Sequence, residues 1–545
     1  MKPENVEPIP PASVPARWDY ETDVLVMGGG GSGLAAAMGA VEQGIRVMVM
    51  EKADDVGGES AFAMLAVGFG SRKWREVTGL SWTEEDLYET IRTLPQTEAG
   101  LMARRADPRM LKNNLTWAAY LVDRLEEMGI KWYPKFTLKE PNYRYPGIVL
   151  LAPISTDLAD YTFEYPSICK FGAVTRTLER WLRKRGVEFL LGTPASALVT
   201  DDTGRVVGVQ GKTKDGKTVF VRARGVIDTT GGFACNRDML KHYHNTGFNA
   251  GCTTAPATKM GDGIRMCQGA GAIVGDMTSS NGEAGGITCL KRGTGTGSWG
   301  QNVGDAPIQI TRQPGFYVNR VGLRFANEHF SVQIGYLQLI DQPDSLVYSI
   351  FGSDENGEPD AQAGERKLFG REMGIFLNDD DIRSPSDNPP YTPYYPTEAP
   401  PFCDWPDGIK RGIDTGTIKV ADTIEELAEI YGIDPKRLKQ SVSEYNASCE
   451  RGADDPLFGK DKGYLRPIKN PPFYGIEHGP RIVDTTGGVR VNEKGQAVDK
   501  RGDPIPGLYA GSHSICGLNG RGGAMGVMGG MSFGYIAGRN AAAET

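Results

Sequence analysis

The amino-acid sequence predicts an α/β fold with more than one large domain. Its 545 residues exceed the roughly 150 residues of an ordinary domain. Near the N-terminus, two short apolar runs flank an alanine-rich stretch, a pattern typical of a strand, a helix and a second strand. Glycine contributes 72 residues, nearly twice the usual share of about 7%. This excess indicates many tight turns and places where the backbone approaches a ligand closely.

Composition and charge exclude several classes of protein. A net charge of -8 gives no electrostatic footprint for a nucleic-acid partner. No apolar run approaches the ~20 residues of a membrane-spanning helix. The eight cysteines are dispersed without a CxxC pair, which argues against thiolate zinc sites, c-type haem and cluster ligation. Residues 1–20 are predicted to be a proline-rich tail. We expect a cytoplasmic protein, although removal of a leader peptide would allow an exported form.

Residues 22–52 contain a complete dinucleotide-binding unit. A buried strand, Asp23–Met27, is predicted to lead into Gly28-x-Gly30-x-x-Gly33, followed by a helix and a second strand that ends at Glu51. Gly28 would form the tight turn, Gly30 would let a pyrophosphate approach, and Gly33 would allow close contact between helix and strand. The helix N-terminus would face the phosphates. Glu51 would bind the adenosine ribose hydroxyls.

Four later features favour FAD over NAD as the dinucleotide. The second strand is followed by a further glycine pair at Gly57-Gly58. Residues 186–228 show four strand-like patches separated by turns. That segment ends in Thr229-Thr230-Gly231-Gly232-Phe233. The C-terminus carries IPGLYAGS, a glycine-rich stretch and FGYIAGRNAAA, which would return a last strand and helix to the first glycine loop.

Taken in order, these motifs resemble the FAD-dependent fumarate reductase/succinate dehydrogenase flavoprotein family, including its 3-ketosteroid dehydrogenase branch. The resemblance covers nearly all of residues 21–545, and the family's motif order is kept. The further motifs are Met260-Gly261-Asp262-Gly263 and the segments VNRVGLRFANE, ADTIEELAEIYGID and TTGGVRVN.

The resemblance implies a Rossmann-like FAD-binding domain split by an α+β capping domain that binds substrate. The FAD-binding domain would comprise residues 21–248 and 480–545, and the cap residues 249–479. A proline-rich and aromatic-rich insertion is expected near 353–417. A serine, Ser60, stands where covalently flavinylated relatives carry a histidine, so FAD is expected to be non-covalent. The histidines lack metal-site spacing, and no metal is predicted. The implied FAD contacts are Gly28, Gly30, Gly31, Ser32, Gly33, Glu51, Lys52, Gly57, Gly58, Glu59, Ser60, Ala195, Thr230, Gly231, Asp262, Gly511, His513, Gly526 and Val527.

The residues that define fumarate chemistry in the family are mostly missing. Val332 occupies the position of the proton-donating arginine, and of a tyrosine in the ketosteroid branch. The carboxylate-clamping histidine expected after Gly275-Asp276-Met277 is also absent. Arg521 is the one substrate arginine that is retained. Arg521, His329 and Tyr336 are therefore the candidate catalytic residues.

The leading functional hypothesis is an FAD-dependent oxidoreductase that acts on CH-CH bonds. It would reduce or form a C=C bond next to a carbonyl in a bulky cyclic, steroid-like or aromatic substrate, with hydride passing through flavin N5. A second hypothesis is an enoate reductase in which Arg521 anchors the carboxylate. A third is a flavin electron-transfer subunit. The expected partners are a small unsaturated substrate and a separate electron donor or acceptor, either a protein or a quinone-like carrier.

Overall fold

The computed structural model describes residues 5–63, 66–68, 85, 89, 107–137, 149–154, 171–244, 252–253, 255–278, 280–287, 310–311, 315–328, 338–360, 405–517 and 526–545. In chain order the helices are α1 (Gly31–Val41), α2 (Pro108–Glu127), α3 (Phe171–Arg183), α4 (Arg237–Tyr243), α5 (Asp262–Gly269), α6 (Trp405–Asp414), α7 (Ile424–Tyr431), α8 (Pro435–Glu450) and α9 (Gly526–Ala543). The strands are β1 (Ala12–Ser13), β2 (Tyr20–Glu21), β3 (Val24–Met27), β4 (Val47–Met50), β5 (Ala66–Gly68), β6 (Lys131–Thr137), β7 (Val149–Ile154), β8 (Glu188–Leu190), β9 (Ala195–Thr200), β10 (Val206–Lys212), β11 (Thr218–Arg222), β12 (Gly225–Asp228), β13 (Cys252–Thr253), β14 (Val274–Gly275), β15 (Ser280–Ile287), β16 (Phe316–Asn319), β17 (Val347–Ser353), β18 (Ile418–Ala421), β19 (Asn470–Thr485), β20 (Gly488–Val489), β21 (Gln496–Val498) and β22 (Pro504–Ala510).

A six-stranded sheet carries the dinucleotide-binding unit, in the order β21–β22–β12–β3–β4–β8. Its neighbouring strands are parallel except at the edge, where β21 is antiparallel to β22. β3 and β4 are buried throughout and consist of valine, leucine and methionine, as expected for parallel strands covered on both faces. The predicted strand–helix–strand unit is therefore present as β3, α1 and β4.

Two buried helices pack beside this sheet and against each other. α1 and α9 are covered along most of their lengths, and glycines allow their backbones to approach closely. A β-carbon on Gly538 would lie 2.0 Å from the carbonyl oxygen of Ala36, and one on Gly39 would lie 2.4 Å from that of Tyr535. The C-terminal helix is thereby held against the helix that follows the first glycine loop, as the motif order predicts.

A five-stranded sheet, β1–β9–β10–β11–β2, incorporates part of the predicted N-terminal tail. β1 pairs with β9 and β2 pairs with β11, both in parallel. Ahead of β1, Val6 is buried in a cluster with Phe233 and Met239. The Ile9 amide donates to the Arg265 carbonyl over 2.9 Å. The described part of the proline-rich segment is therefore packed along the dinucleotide-binding core.

The segment predicted to form the cap, here called the capping segment, is built around the long strand β19. β19 pairs with β13, β15, β17 and β18, and β16 extends the sheet from β17. α7 and α8 pack on this sheet through a core that includes Leu427, Leu438 and Tyr445. Both helices start with side-chain caps: Thr423 and Glu426 form a capping box, and Asp434 accepts from the first turn of α8. β19 runs through the boundary predicted at residue 480.

α5 belongs to the core of the six-stranded sheet, although its residues fall within the range predicted for the cap. Met266 and Cys267 on α5 share a buried cluster with Leu25 on β3 and Val226 on β12. Most of the predicted insertion near 353–417 lies outside the described residues. Within the part of the chain that is described, no helix is long and apolar enough to cross a membrane.

Candidate functional site

The three glycines of the Gly28-x-Gly30-x-x-Gly33 motif have different surroundings. A β-carbon on Gly28 would lie 2.6 Å from the Thr229 carbonyl oxygen, and Gly28 has a φ of +101°. A β-carbon on Gly33 would lie 1.8 Å from the Gly28 carbonyl oxygen. On Gly30 it would meet nothing closer than 3.9 Å. Gly28 and Gly33 are therefore required by the fold, whereas Gly30 faces open space where a ligand can approach.

α1 begins at Gly31, directly after this open position. Its first turn contains no acidic side chain, so the partial positive charge of the helix N-terminus is left for an anion. The Gly31 amide donates to Ser60 Oγ over 3.1 Å. The Ser32 side chain is buried. This end of α1 is suited to hold a pyrophosphate against the backbone.

Glu51 connects the glycine loop to the loop after β4. Its Oε2 accepts from the Gly29 amide at 2.6 Å, and its Oε1 accepts from the Ala53 amide at 2.7 Å. The side chain is buried, and this burial raises the pKa of the Glu51 carboxyl above its usual range. The predicted ribose contact remains a proposal. Both carboxylate oxygens already fix the backbone around the cleft.

The second glycine pair lies beside the first glycine loop. Gly57 forms a bridge with Gly30 and donates its amide to the Gly29 carbonyl at 2.8 Å. Both members of the pair have positive φ, +114° at Gly57 and +48° at Gly58, which glycine adopts without steric cost. Two loops that are nearly thirty residues apart in sequence thus form one edge of the cleft.

Further predicted contacts lie at the ends of neighbouring strands. Thr229 Oγ1 donates to the Met27 and Gly28 carbonyls at 2.8 and 3.0 Å, beside Thr230 and Gly231. Ala195 starts β9, two residues after Thr193, whose amide donates to the Glu51 carbonyl at 2.9 Å. These contacts place the predicted residues around the carboxyl ends of β3, β4 and β12.

Lys52 and Asp262 form an ion pair between the loop after β4 and the start of α5. The distance from Lys52 Nζ to Asp262 Oδ2 is 2.8 Å, and both side chains are partly exposed. The pair joins two positions that the sequence predicts as FAD contacts. It also fixes the N-terminus of α5 against the cleft.

The C-terminal segment contributes the remaining side of the cleft. The Gly511 amide donates to the Asp228 carbonyl at 2.9 Å, which holds the turn that contains His513 at the end of β12. Gly526 and Val527 form the first turn of α9. The structure therefore brings the N-terminal and C-terminal glycine motifs together.

Four ionisable side chains, here called the Lys259 cluster, meet beside these loops: Glu59, Lys259, Asp484 and His513. Lys259 Nζ lies 2.7 Å from Asp484 Oδ1 and also contacts Glu59 Oε2. His513 Nδ1 contacts Asp484 Oδ2 and lies 3.9 Å from Glu59 Oε2. Burial, together with the charge of Lys259, lowers the pKa of His513 to about 3. The imidazole is therefore neutral at pH 7.

Three members of this cluster have the atoms of a cation site. Ligand atoms of Glu59, Asp484 and His513 all lie within 4.8 Å of one another. The Lys259 ammonium is bonded to two of them, so it supplies the positive charge that a metal would bring. The arrangement is that of an internal ion pair.

Asp228, at the end of β12, is a second buried carboxyl close to the cleft. Its Oδ1 accepts from the amide and the hydroxyl of Thr230, at 3.0 and 2.8 Å. Burial raises the pKa of Asp228 to about 6. The carboxyl thereby fixes Thr230, a predicted FAD contact, at the mouth of the cleft.

The structure does not bear on the three candidate catalytic residues. Arg521, His329 and Tyr336 all lie outside the described residues. Sequence reasoning missed Lys259, Asp484 and Asp228. Each residue directly precedes a glycine-containing motif that is recognisable in the sequence. This position beside a motif was the only sequence signal that could have identified them.

The described residues fit an FAD molecule. The open face of Gly30 and the acid-free N-terminus of α1 suit the pyrophosphate. Gly57, Gly231 and Gly511 bring backbone rather than side chains to the cleft edge. Glu59 directly follows Gly58, and His513 lies two residues after Gly511, so both put a polar side chain next to a glycine of the cleft edge.

Comparison with known proteins identifies several reductases as relatives. The chain is 26% identical over 561 residues to NADH:acrylate oxidoreductase of Vibrio harveyi, which covers 95% of this chain and 50% of that protein. It is 24% identical over 507 residues to vinyl phenol reductase of Lactiplantibacillus plantarum, covering 91% of this chain and 90% of that protein. Urocanate reductase of Eggerthella lenta is 26% identical over 537 residues, with coverages of 96% and 75%. The chain spans half the length of the Vibrio harveyi relative.

Solved structures share the fold. The open conformation of a flavocytochrome c3 fumarate reductase matches with a TM-score of 0.69 and 22% identity, over 97% of this chain and 79% of that one. The 3-ketosteroid delta1-dehydrogenase of Sterolibacterium denitrificans matches with a TM-score of 0.70 and 20% identity, over 96% and 100% of the two chains. The mixed α/β fold predicted from the sequence is confirmed at this level.

Family membership follows from a family model that covers most of the chain. The resemblance to the fumarate reductase and ketosteroid dehydrogenase flavoproteins is confirmed, and with it the prediction of a flavin-dependent oxidoreductase that uses FAD. The model described as "FAD binding domain" matches residues 23–520, and the chain belongs to this family of FAD-binding proteins.

Proposed function

We propose that this oxidoreductase reduces or forms a C=C bond next to a carbonyl group in a bulky cyclic, steroid-like or aromatic substrate. The observation that carries the proposal is the FAD cradle of glycine loops around Gly30, combined with a sequence that lacks most of the fumarate clamp. Val332 cannot donate a proton or bind a carboxylate, as the family's arginine does. A dicarboxylate would therefore find little to hold it.

The names of the relatives support a reaction at a carbon–carbon double bond. Acrylate, urocanate and vinyl phenol reductases are among them, and a 3-oxosteroid 1-dehydrogenase of Mycolicibacterium smegmatis is 24% identical over 604 residues. Vinyl phenol and an oxosteroid are cyclic compounds. Urocanate also contains a ring, whereas acrylate does not, so three of these four relatives are named for ring-containing compounds.

In the proposed reaction, FAD, when bound, would accept a hydride from one of the two reacting carbons or donate a hydride to it. The chain itself must bind the carbonyl and exchange a proton at the neighbouring carbon. We assign the first task to Arg521, whose guanidinium can donate two hydrogen bonds to the oxygen of a ketone or carboxylate. His329 and Tyr336 are the candidates for proton exchange, because both side chains can carry a proton.

An enoate reductase is the second candidate function. It is favoured by the retention of Arg521, which would anchor the substrate carboxylate, and by relatives named for acrylate and urocanate. A flavin electron-transfer subunit without a substrate of its own is a third candidate. The three functions differ in whether cyclic enones, unsaturated acids or neither class exchanges electrons with the flavin.

A separate partner is proposed to supply or remove electrons, either a protein or a quinone-like carrier. The relative named NADH:acrylate oxidoreductase is about twice as long as the stretch it shares with this chain. Only one dinucleotide-binding motif is evident in the present sequence. NADH alone is therefore expected to reduce the flavin slowly, whereas artificial dyes should couple well. Rapid stoichiometric bleaching by NADH would contradict this assignment.

An anaerobic substrate screen tests the proposal. Photoreduced protein is mixed with cyclic enones, steroid enones, vinyl phenols and unsaturated acids, and reoxidation of the flavin is followed by absorbance. Oxidised protein is mixed with the saturated counterparts, and bleaching is followed. Reaction with ring-containing enones supports the main proposal. Reaction with unsaturated acids alone supports the enoate reductase, and no reaction in either direction favours the electron-transfer subunit.

The role of Arg521 is tested in the same assay. Arg521→Lys should retain FAD but lose about 2–4 kcal/mol of transition-state stabilisation, the range for removing one preorganised donor. Arg539→Lys on α9 is the matched control, because Arg539 is exposed and lies over the Trp117 ring. Full turnover of Arg521→Lys would move the search to His329 and Tyr336.

A further inference from the structure

The Lys259 cluster joins four separate parts of the chain. Glu59 lies in the 3-10 helix Gly58–Phe62, and Lys259 precedes α5. Asp484 is the second-last residue of strand β19, and His513 lies in the short 3-10 helix Ser512–Ser514. Lys259 and Asp484 are 225 residues apart in sequence. Their contacts with Glu59 and His513 are made only in the folded protein.

The burial of the cluster is uneven, which shows where it faces. The Lys259 and Asp484 side chains are 8% and 2% exposed, whereas those of Glu59 and His513 are 21% and 23% exposed. The inner pair is therefore covered by protein, and the outer pair is partly exposed. A β-carbon on Gly231 would lie 3.0 Å from Lys259 Cε, so the cluster also adjoins that loop.

The cluster has an unbalanced charge. Two carboxylates, Glu59 and Asp484, share one ammonium, and His513 is uncharged at pH 7. One negative charge is therefore left beside the cofactor cleft. Charges in such covered sites interact more strongly than charges in water, because the surroundings screen them less.

We propose that the Lys259 cluster sets the reduction potential of the bound FAD. Its residual negative charge opposes the electrons that the flavin accepts, and the Lys259 ammonium limits this opposition. Lys259 and Asp484 act through the electric field and are not catalytic residues. The proposal depends on FAD binding, which the family establishes, and not on the substrate class proposed above.

Two substitutions of opposite charge separate this role from a structural one. Lys259→Met removes the positive charge and should lower the potential. Asp484→Asn removes a negative charge and keeps an oxygen that can accept from the Thr485 amide, so it should raise the potential. Glu59→Gln should also raise it, and Lys259→Arg should stay close to the unsubstituted protein. Mere damage to the site would move the potentials of both main variants in the same direction.

The measurement is an anaerobic titration of the FAD-loaded protein at pH 7. Xanthine, oxidised by xanthine oxidase, supplies electrons through a mediator to the protein and to a reference dye, and each FAD takes two electrons. We expect the equilibrium ratio of reduced to oxidised flavin to change about tenfold in each main variant, which corresponds to about 30 mV for a two-electron couple. The FAD dissociation constant is measured in parallel.

Lys460→Met is the matched control, because Lys460 is also a buried lysine paired with a carboxylate but lies in the capping segment. The reduction potential of FAD bound to this control variant should not change. If Lys259→Met fails to retain FAD, Glu59→Gln and Asp484→Asn still test the sign: both should raise the potential, and a fall in either would overturn the proposal. Shifts in the same direction for Lys259→Met and Asp484→Asn, or no shift in either, would overturn the proposal. The titration contains no substrate, so a wrong substrate class cannot affect its outcome.

Discussion

Gly534 packs directly on Ser32: a β-carbon on Gly534 would lie 2.0 Å from the Ser32 carbonyl oxygen. Ser32 is in the first turn of α1, beside the cleft, and Gly534 is in the middle of α9. The contact therefore connects the last helix of the chain to the N-terminus of the helix that faces the cofactor. Any side chain at Gly534 must push the two helices apart.

The first prediction concerns this contact between α9 and α1. Gly534→Ala should destabilise the protein by about 2 kcal/mol or more, because overpacking a buried contact typically costs about 1–3 kcal/mol. It should also weaken FAD binding, since α1 would move. Thermal unfolding and FAD fluorescence measure the two effects. Ala543→Ser, at an exposed position of the same helix, is the control and should change neither. A melting temperature of Gly534→Ala equal to that of the unsubstituted protein would contradict the tight packing of Gly534 on Ser32.

Glu51→Gln is predicted to weaken FAD binding without unfolding the protein. An amide has one acceptor oxygen, so either the Gly29 or the Ala53 amide would lose its partner. Leaving a buried donor unpaired costs about 1–3 kcal/mol, and we expect the dissociation constant to rise roughly 10- to 100-fold. Quenching of FAD fluorescence on reconstitution measures it. Glu188→Gln, exposed on β8, should bind as tightly as the unsubstituted chain, and an equal constant for Glu51→Gln would contradict the role of Glu51.

FAD is predicted to be held without a covalent bond. Ser60 Oγ accepts from the Gly31 amide and stands where covalently flavinylated relatives carry a histidine. Precipitation with trichloroacetic acid should therefore leave the flavin in the supernatant, in a one-to-one ratio with protein, as measured by absorbance. Flavin fluorescence that stays with the washed pellet would disprove this prediction.

The dinucleotide-binding unit could be predicted from the sequence because its signals are local. Parallel buried strands need uninterrupted apolar runs, and β3 and β4 have them. The glycine pattern follows from steric demands within one turn, at Gly28 and Gly33. The strand patches expected between residues 186 and 228 are present as β8, β10, β11 and β12.

The Lys259 cluster could not be predicted, because its signals are not local. Lys259 and Asp484 are charged residues, and charged residues usually lie in solvent. They become a buried pair only because the end of β19 packs against the segment before α5. The packing of residues 5–21 was missed for a similar reason. One buried side chain, Val6, gives no periodic pattern.

We predict that the protein loses stability in acid because of one buried histidine on β19, His478. His478 is fully buried on β19, its Nε2 lies 2.9 Å from Ser349 Oγ, and burial lowers the pKa of His478 to about 3. Below pH 6.5 the unfolded chain binds a proton that the folded chain does not bind until pH 3. Stability should therefore fall as the pH drops through this range, by about 1.4 kcal/mol per pH unit.

His478→Gln tests this assignment, because glutamine is neutral at every pH and can still accept from Ser349. The difference in unfolding free energy between pH 7 and pH 5 should be about 2 kcal/mol smaller than in the unsubstituted protein. His242→Gln, at an exposed position on α4, is the control and should keep the original pH dependence. Equal pH dependence in His478→Gln would show that His478 does not contribute.

The last prediction concerns a buried ion network in the capping segment. Arg324 donates from Nε and Nη2 to the two oxygens of Glu328, at 2.7 and 2.9 Å, and its Nη1 lies 3.1 Å from Asp455 Oδ2. Lys460 Nζ lies 3.5 Å from Glu328 Oε2 and donates to the Gly315 carbonyl at 2.6 Å. Two cations and two carboxylates are thus enclosed together, almost without exposure to solvent.

Glu328→Gln would leave two buried cations with one carboxylate, and breaking a buried ion pair in this way typically costs about 3–5 kcal/mol. For a domain of roughly 150–250 residues the melting temperature should fall by about 6–20 °C, measured by circular dichroism. Glu425→Gln is the control: Glu425 pairs with Lys439 across α7 and α8, both are exposed, and such pairs are worth less than about 1 kcal/mol. Equal melting temperatures for the two variants would mean that the enclosed network contributes no more than a surface pair.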